Sequence, residues 1–427
     1  MRPDRGAKHL SSSQARASRN KGGTRKSKPS DAHGNLRAFV ILVVLAFHSV
    51  LAYLDALPAS AYRFDSPGYE WQTYPIVDSQ RWQPFDLFCA WHDVYLMSLM
   101  FFLSGLFVWP SLTRKQAWTY SWDRCLRLGL PFALAVFVLM PLALYPTYRV
   151  TAPDPGVAAY WREFIALPFW PCGPQWFLWQ LLALNILAAG LYKLVPGWGG
   201  VLDRLVAATR ADPTRFFVVL AAASAIAYVP LAQAFTPWSW TQFGPFALQE
   251  SRPLHYAVYF FAGVGVGSGG LDRGLLAVDG LLARRWAVWL AVAFATFMLW
   301  IGPTALIMTG EEPAPFALQL VADLGFVLAC AGGGMFALAI CLRFATNVSP
   351  VLDSLSDNAY GMYLVHYGFV IWLQYALLGV ALHATVKAAI VFAGTLALSW
   401  AATAALRAVP FGSRLIGTER RVLAKAR

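Results

Sequence analysis

The sequence predicts an all-α fold: a polytopic transmembrane helix bundle of about ten spans, with both termini cytoplasmic. Three observations lead there: an apolar composition, a series of long apolar runs, and a one-sided distribution of positive charge. Apolar residues make up 58% of the 427, and charged residues only 13%, against about 25% in an average soluble domain. The 18 Trp, 17 Tyr and 29 Phe suit the aromatic belts of a membrane interface.

A hydrocarbon layer about 30 Å thick is crossed by about 20 helical residues. Residues 1–35 are rich in Lys, Arg and Ser and lack the apolar surface to fold, so a disordered basic tail is expected. The membrane domain, 36–408, follows. The first four predicted spans are Leu36–Leu57, Phe85–Pro110, Leu126–Tyr148 and Gly173–Val195. Thr214–Phe235 comes next, and then Pro253–Gly269, which is short and glycine-rich. The last four are Trp286–Met308, Phe316–Leu342, Asn358–Val380 and Thr385–Ala408. Residues 409–427 form a second basic tail.

Loop charge orients the bundle. The first tail holds nine Lys and Arg. Loops predicted on its side carry Arg114, Lys115, Arg124 and Arg127, then Arg204 and Arg210, then Arg273, Arg284 and Arg285. The opposite loops carry few. An even number of spans puts the C-terminal tail on the same side. The long loop 58–84 lies opposite and is large enough to cap an outward-facing cavity. The net charge of +12 is thus topological and argues against a nucleic-acid partner. The five cysteines are scattered, with no CxxC and no metal-like spacing. They read as packing residues, with no metal and no permanently bound cofactor expected.

Ionisable groups inside a span are costly, so each is a candidate. His48 lies about midway along the first predicted span, and Arg37 stands eleven residues earlier. Eleven residues make close to three helical turns, so both side chains share a face about 16 Å apart. A neutral imidazole can act as base or nucleophile. Arg124 and Arg127, at i and i+3, project to one side of a helix and could clamp donor phosphates. Charge alone favours inside-positive anchoring. His92 and Asp93 are sequence neighbours and do not face each other; either acceptor contact or helix capping suits them. His366 could line the same cavity as His48, and Trp176 could shape it. Asp323 is expected to pair with another polar group. The glycines of Gly263-x-Gly265-x-Gly267 read as close helix packing, without the strand a dinucleotide loop requires.

These residues resemble the membrane acyltransferase-3 family. Arg37 and His48 reproduce its Arg-x10-His. Phe101-Phe102-Leu103-Ser104-Gly105-Leu106 is similar to its FFLSGF signature. Arg124-x-x-Arg127-Leu128 with Pro131, Trp176-Phe177-Leu178, and Ala359-Tyr360-Gly361-Met362-Tyr363-Leu364-Val365-His366 follow in the family's order. The departure is Asn358-Ala359 before Tyr360, where the family has Ser. The resemblance runs from about residue 36 to about residue 400. It implies an enzyme of a bacterial-type inner membrane. Such an enzyme moves an acyl group, commonly acetyl or succinyl, from cytosolic acyl-CoA to a hydroxyl of a carbohydrate or glycan acceptor. His48 would be catalytic, Arg37, Arg124 and Arg127 would bind the donor, and His92, Asp93, Trp176, Tyr360 and His366 would border the cavity. The competing expectation is a transporter or flippase for a carbohydrate or lipid-linked substrate. It would suit the buried charges, but the chain lacks the repeats such folds often carry.

Overall fold

In the computed structural model, residues 29–410 and residue 412 are described, apart from residues 196, 211, 271–273, 279, 311–312, 346–348 and 411. The predicted tails lie mostly outside these. Eight helical segments among the described residues are long and apolar enough to cross a membrane. The helices are α1 (Pro29–Val50), α2 (Pro84–Gly105), α3 (Val108–Lys115), α4 (Ala117–Arg124), α5 (Leu130–Leu134), α6 (Met140–Thr151), α7 (Val157–Ala166) and α8 (Trp176–Leu194). After them come α9 (Trp198–Arg210), α10 (Pro213–Phe235), α11 (Pro253–Ser268), α12 (Leu281–Arg284), α13 (Trp286–Thr309), α14 (Phe316–Phe344), α15 (Pro350–Ala376) and α16 (Ala384–Ala408).

Ten spans were expected, and two of the ten fall outside the eight. The sixth and ninth stretches do form helices, α11 and α15, packed inside the bundle. However, α11 has only 16 residues, and α15 carries Asn358, His366 and Gln374 on a 27-residue helix. Both are specialised for packing and polar contact rather than for lipid. A second departure is a small antiparallel hairpin, β1 (Trp240–Phe243) and β2 (Phe246–Gln249), between α10 and α11. Its turn is Gly244-Pro245, with Gly244 at φ +53°, a left-handed conformation that glycine adopts without a Cβ penalty.

The first span begins earlier and ends earlier than predicted. α1 opens at Pro29, and a short 3₁₀ turn over Leu51–Tyr53 closes it before the chain becomes extended at Leu54. His48 therefore sits in the last turn of α1, in the second half of the Gly34–Tyr53 segment that is long and apolar enough to cross a membrane. The terminal carbonyls find side-chain partners, as an enclosed helix end requires. Gln374 Nε2 donates to His48 O at 3.0 Å and to Ser49 O at 3.3 Å. The loop then returns across this end: the Asp78 and Trp82 amides donate to Ala52 O and Tyr53 O, each at 3.0 Å.

Close packing of α2 on α11 accounts for the glycine motif. A Cβ at Gly263 would stand 2.1 Å from Phe102 O, one at Gly267 2.0 Å from Leu106 O, and one at Gly105 2.1 Å from Phe260 O. Only glycine permits that approach. Two buried cores result. One gathers Leu36–Leu45 of α1 with α2, α8, α10, α11, α13 and α14. The other gathers Val50–Leu57, the long loop, α6, α7 and the late part of α15.

The segment from α4 to α6 runs as one long helix interrupted twice by π turns, Cys125–Gly129 and Ala135–Leu139. Each π turn is followed, one residue on, by a proline: Pro131 and Pro141. A proline ring clashes with the carbonyl four residues before it, and the wider π turn relieves that clash.

Candidate functional site

His48 and His366 meet at the seam between the two cores: Leu45 and Tyr363 belong to one, Val50 and Tyr367 to the other. The imidazole centroids are 4.9 Å apart, edge to face, and His366 Nε2 lies 3.4 Å from His48 Nδ1. His48 Nδ1 also lies 2.9 Å from Val44 O, and His366 Nδ1 lies 2.7 Å from Tyr363 O. A carbonyl oxygen only accepts, so each Nδ1 carries a proton. In the neutral pair, His366 Nε2 then offers a lone pair towards the His48 Nδ1–H. The remaining atom, His48 Nε2, keeps its own lone pair. That is the state a base or nucleophile needs. If His48 gained a proton at Nε2, its Nδ1–H would still be held between Val44 O and His366 Nε2.

The surroundings fix this geometry. Phe47 and Tyr367 stand edge-on to the His48 ring, each at 5.4 Å. Tyr367 in turn donates to Gln72 O at 3.1 Å, so the loop 58–84 is tied down above the pair. Asp86 fastens the turn beside it by accepting from the Asp55 and Ala56 amides, at 2.9 Å and 3.2 Å. Within the loop, Tyr62 and Tyr74 stack at 6.3 Å. Burial pushes the Tyr74 hydroxyl up to about 12, which keeps it neutral and able to donate.

The arginines collect at the other end of α1. Because α1 is unbroken from Pro29 to Val50, the spacing of Arg37 and His48 along one face holds. Arg37 lies over the Phe107 ring at 4.9 Å, where α2 gives way to α3. Arg124 ends α4, with its guanidinium over Tyr120 at 4.8 Å. Arg127 falls in the first π turn and is exposed. The two therefore straddle a helix–π junction and do not open one regular helix, as their i and i+3 spacing had suggested. Lys115 pairs with Asp123 and is partly neutralised.

Tyr360 donates to Arg127 O at 2.5 Å, so it belongs with the arginines. Trp176 packs on Tyr256, stacked at 5.8 Å, and against Trp240 at 5.7 Å. It joins the hairpin and α11, and these ring contacts are to those elements rather than to the histidine pair. His92 and Asp93 do point apart. His92 Nδ1 turns back to Phe88 O at 2.9 Å, while Asp93 accepts from Arg252 at 2.9 Å. Asp323 accepts from Gln233 at 2.5 Å. Asn358, at the departure from the family pattern, accepts from Arg407 at 3.1 Å.

Two polar clusters escaped the sequence reading. His255, fully buried, has Ser224 Oγ at 2.6 Å from Nδ1 and Ser98 Oγ at 3.0 Å from Nε2, with Cys330 Sγ at 3.4 Å. Lys387 of α16 and Asp78 of the loop form an ion pair at 2.7 Å, both side chains 1% exposed. Each is an ionisable residue within an apolar stretch or covered loop, and that rule would have flagged His255 and Lys387. Among the described residues, no group of three His, Cys, Asp or Glu side chains could hold a metal.

Helices long enough to cross a bilayer, enclosing a histidine pair with arginines at one end, define an integral membrane protein built around a buried polar site. A family model described as an acyltransferase domain, of the acyltransferase-3 type, matches residues 34–404. That covers most of the chain, which therefore belongs to the acyltransferase-3 family and is an acyltransferase. No curated protein matches it, and neither does any solved structure.

Proposed function

We propose that this enzyme takes an acyl group, acetyl or succinyl, from acyl-CoA at the arginine end. It passes the group to a hydroxyl of a carbohydrate or glycan acceptor, with His48 as base or nucleophile. The observation that carries this reading is the geometry of the histidine pair, in which each Nδ1 faces a carbonyl oxygen and the lone pair of His48 Nε2 is left available. As base, Nε2 accepts the acceptor's hydroxyl proton while that oxygen bonds to the thioester carbon. The C–S bond then breaks, and the coenzyme A thiolate leaves and collects the proton. As nucleophile, Nε2 bonds to the thioester carbon while the C–S bond breaks and coenzyme A leaves as its thiolate. The acceptor oxygen then bonds to the acyl carbon, the bond to Nε2 breaks and returns its lone pair, and the hydroxyl proton ends on the thiolate. His366 holds the ring in place for either route.

The donor's phosphates suit the arginines. Guanidinium groups bind phosphate through forked, charge-assisted hydrogen bonds. Arg127 is exposed, and Arg37 and Arg124 are spread over aromatic rings at the same end. Arg124→Ala and Arg127→Ala should each raise the KM for acyl-CoA roughly tenfold, the scale of one charged hydrogen bond. High salt should weaken donor binding in the wild type as well. Unchanged coenzyme A affinity in the purified double variant would reduce both arginines to membrane anchors.

The Lys and Arg distribution supports a cytoplasmic arginine end and cytoplasmic termini, and the family resemblance supports a bacterial-type inner membrane. Single cysteines at positions 20 and 420 should react with a membrane-impermeant maleimide only after the cells are opened. Labelling of either in intact cells would reverse the orientation.

A further inference from the structure

The helix that carries the arginines contains three prolines, each of which removes a backbone donor. Pro131 and Pro141 each stand one residue past a π turn, so neither offers an N–H to the carbonyl four residues back (Arg127, Phe137) or to the one five residues back (Leu126, Val136). Pro146 has none for Leu142. Within a bilayer, a carbonyl left open must find a donor in the protein.

Beside each proline the structure supplies one side-chain donor to such a carbonyl. Tyr360 Oη donates to Arg127 O at 2.5 Å, Trp372 Nε1 to Leu142 O at 3.0 Å, and Trp170 Nε1 to Val136 O at 2.9 Å. Two of these donors stand on α15, six residues before and six residues after His366. The helix bearing Arg124 and Arg127 is thus pinned to the helix bearing His366, on both sides of the histidine. At the Arg127 end, the pin is a single hydroxyl on the backbone of a residue assigned to the donor.

We propose that Tyr360 is a positioning residue for the acyl donor: its hydrogen bond to Arg127 O sets the depth and direction of Arg127 relative to the His48–His366 pair. Tyr360 does not touch the donor; it acts through Arg127. The inference rests on the reading of Arg127 as a donor ligand. Pro131 is the reason the position is adjustable at all, because it frees the carbonyl that Tyr360 then captures. Trp372 fastens the far side of His366, at the other end of the helix, and has no such route to the arginines.

The test uses the full-length enzyme in detergent or nanodiscs and three variants: Tyr360→Phe, Trp372→Phe, and the double variant Tyr360→Phe/Pro131→Ala. Phe keeps the ring at position 360 and removes only the donor. Amide exchange over residues 125–139 should rise in Tyr360→Phe while exchange over α13 and α14 stays unchanged. The KM for acyl-CoA should rise by up to about tenfold, the scale of one hydrogen bond, with kcat near the wild-type value. Pro131→Ala returns an N–H that can close on Arg127 O, so the double variant should bring KM back towards wild type. Trp372→Phe should leave the donor KM where it was. Unchanged exchange over 125–139 in Tyr360→Phe overturns the proposal, as does faster exchange with an unchanged KM. A KM that rises equally in Trp372→Phe, or that Pro131→Ala does not relieve, reduces Tyr360 to general packing. A wild-type enzyme that does not turn over acyl-CoA sinks the donor reading itself, and the exchange arm still decides whether the pin exists.

Discussion

Replacing His48 with Gln should abolish acyl transfer while the protein accumulates and folds normally. Glutamine keeps much of the size, and its amide can still donate to Val44 O, as His48 Nδ1 does at 2.9 Å. Its amide oxygen can accept a hydrogen bond, but it is far too weakly basic to take up a proton and does not replace Nε2. Loss of a positioned base typically costs about 10²–10⁴-fold in rate, and His48→Ala should fall in the same range. His366→Asn should give a smaller loss. An asparagine can still donate to Tyr363 O, but it places no aromatic nitrogen 3.4 Å from His48. The assay is transfer from labelled acyl-CoA in membranes with matched protein amounts. If His48 merely packs, Gln restores the wild-type rate, and any Ala defect follows the protein level.

The second large effect is on stability. Lys387→Met leaves the Asp78 carboxylate covered, with only the Gln80 amide, at 2.8 Å, donating to it among the described contacts. Breaking a buried pair from one side costs about 3–5 kcal/mol, because the stranded charge cannot return to water. Removing both charges, as in Lys387→Met/Asp78→Leu, should recover most of that loss. Unfolding in detergent, followed by intrinsic fluorescence, separates the three proteins. The loop 58–84 carries Asp78 and also supplies Gln72 O to Tyr367. The single variant should therefore lower transfer as well, by loosening the loop above the histidines. Equal stability of the single and double variants would mean that the pair is hydrated and the loop is held by other contacts.

The sequence announced the bundle through long apolar runs, and eight helices met that expectation in full. Hydropathy is a poor guide to α11 and α15 because both are enclosed by protein. There a helix is free to be short, like α11, or to carry Asn358, His366 and Gln374, like α15. The Arg-x10-His spacing fixed one face of one helix correctly. It did not fix depth, because depth depends on where the helix stops, and the 3₁₀ turn after Val50 brings that end close to His48. The contact between His48 and His366 spans 318 residues; two ionisable residues inside spans suggested a shared cavity, but no local pattern encodes direct contact between their rings. The same holds for Asp93 with Arg252 and for Asp78 with Lys387, where one partner looked like an ordinary loop charge. The glycine motif was legible because a backbone approach of 2.0–2.1 Å to a would-be Cβ leaves no other residue possible. The two π turns were not legible, although Pro131 and Pro141 mark them. A proline inside an apolar span signals a kink but does not say which side chain will cover the freed carbonyl.

The central claim is that this chain places acyl groups on a glycan through His48. The most direct measurement compares cell-surface and periplasmic glycans by mass spectrometry in three strains: the parent, a deletion of this protein, and the deletion carrying His48→Gln at wild-type abundance. The account predicts that one glycan loses a single ester mass, that of an acetyl or succinyl group, in the deletion. The loss should persist with His48→Gln and be reversed by the wild-type chain. An unchanged ester profile in the deletion, or full restoration by His48→Gln, would contradict it.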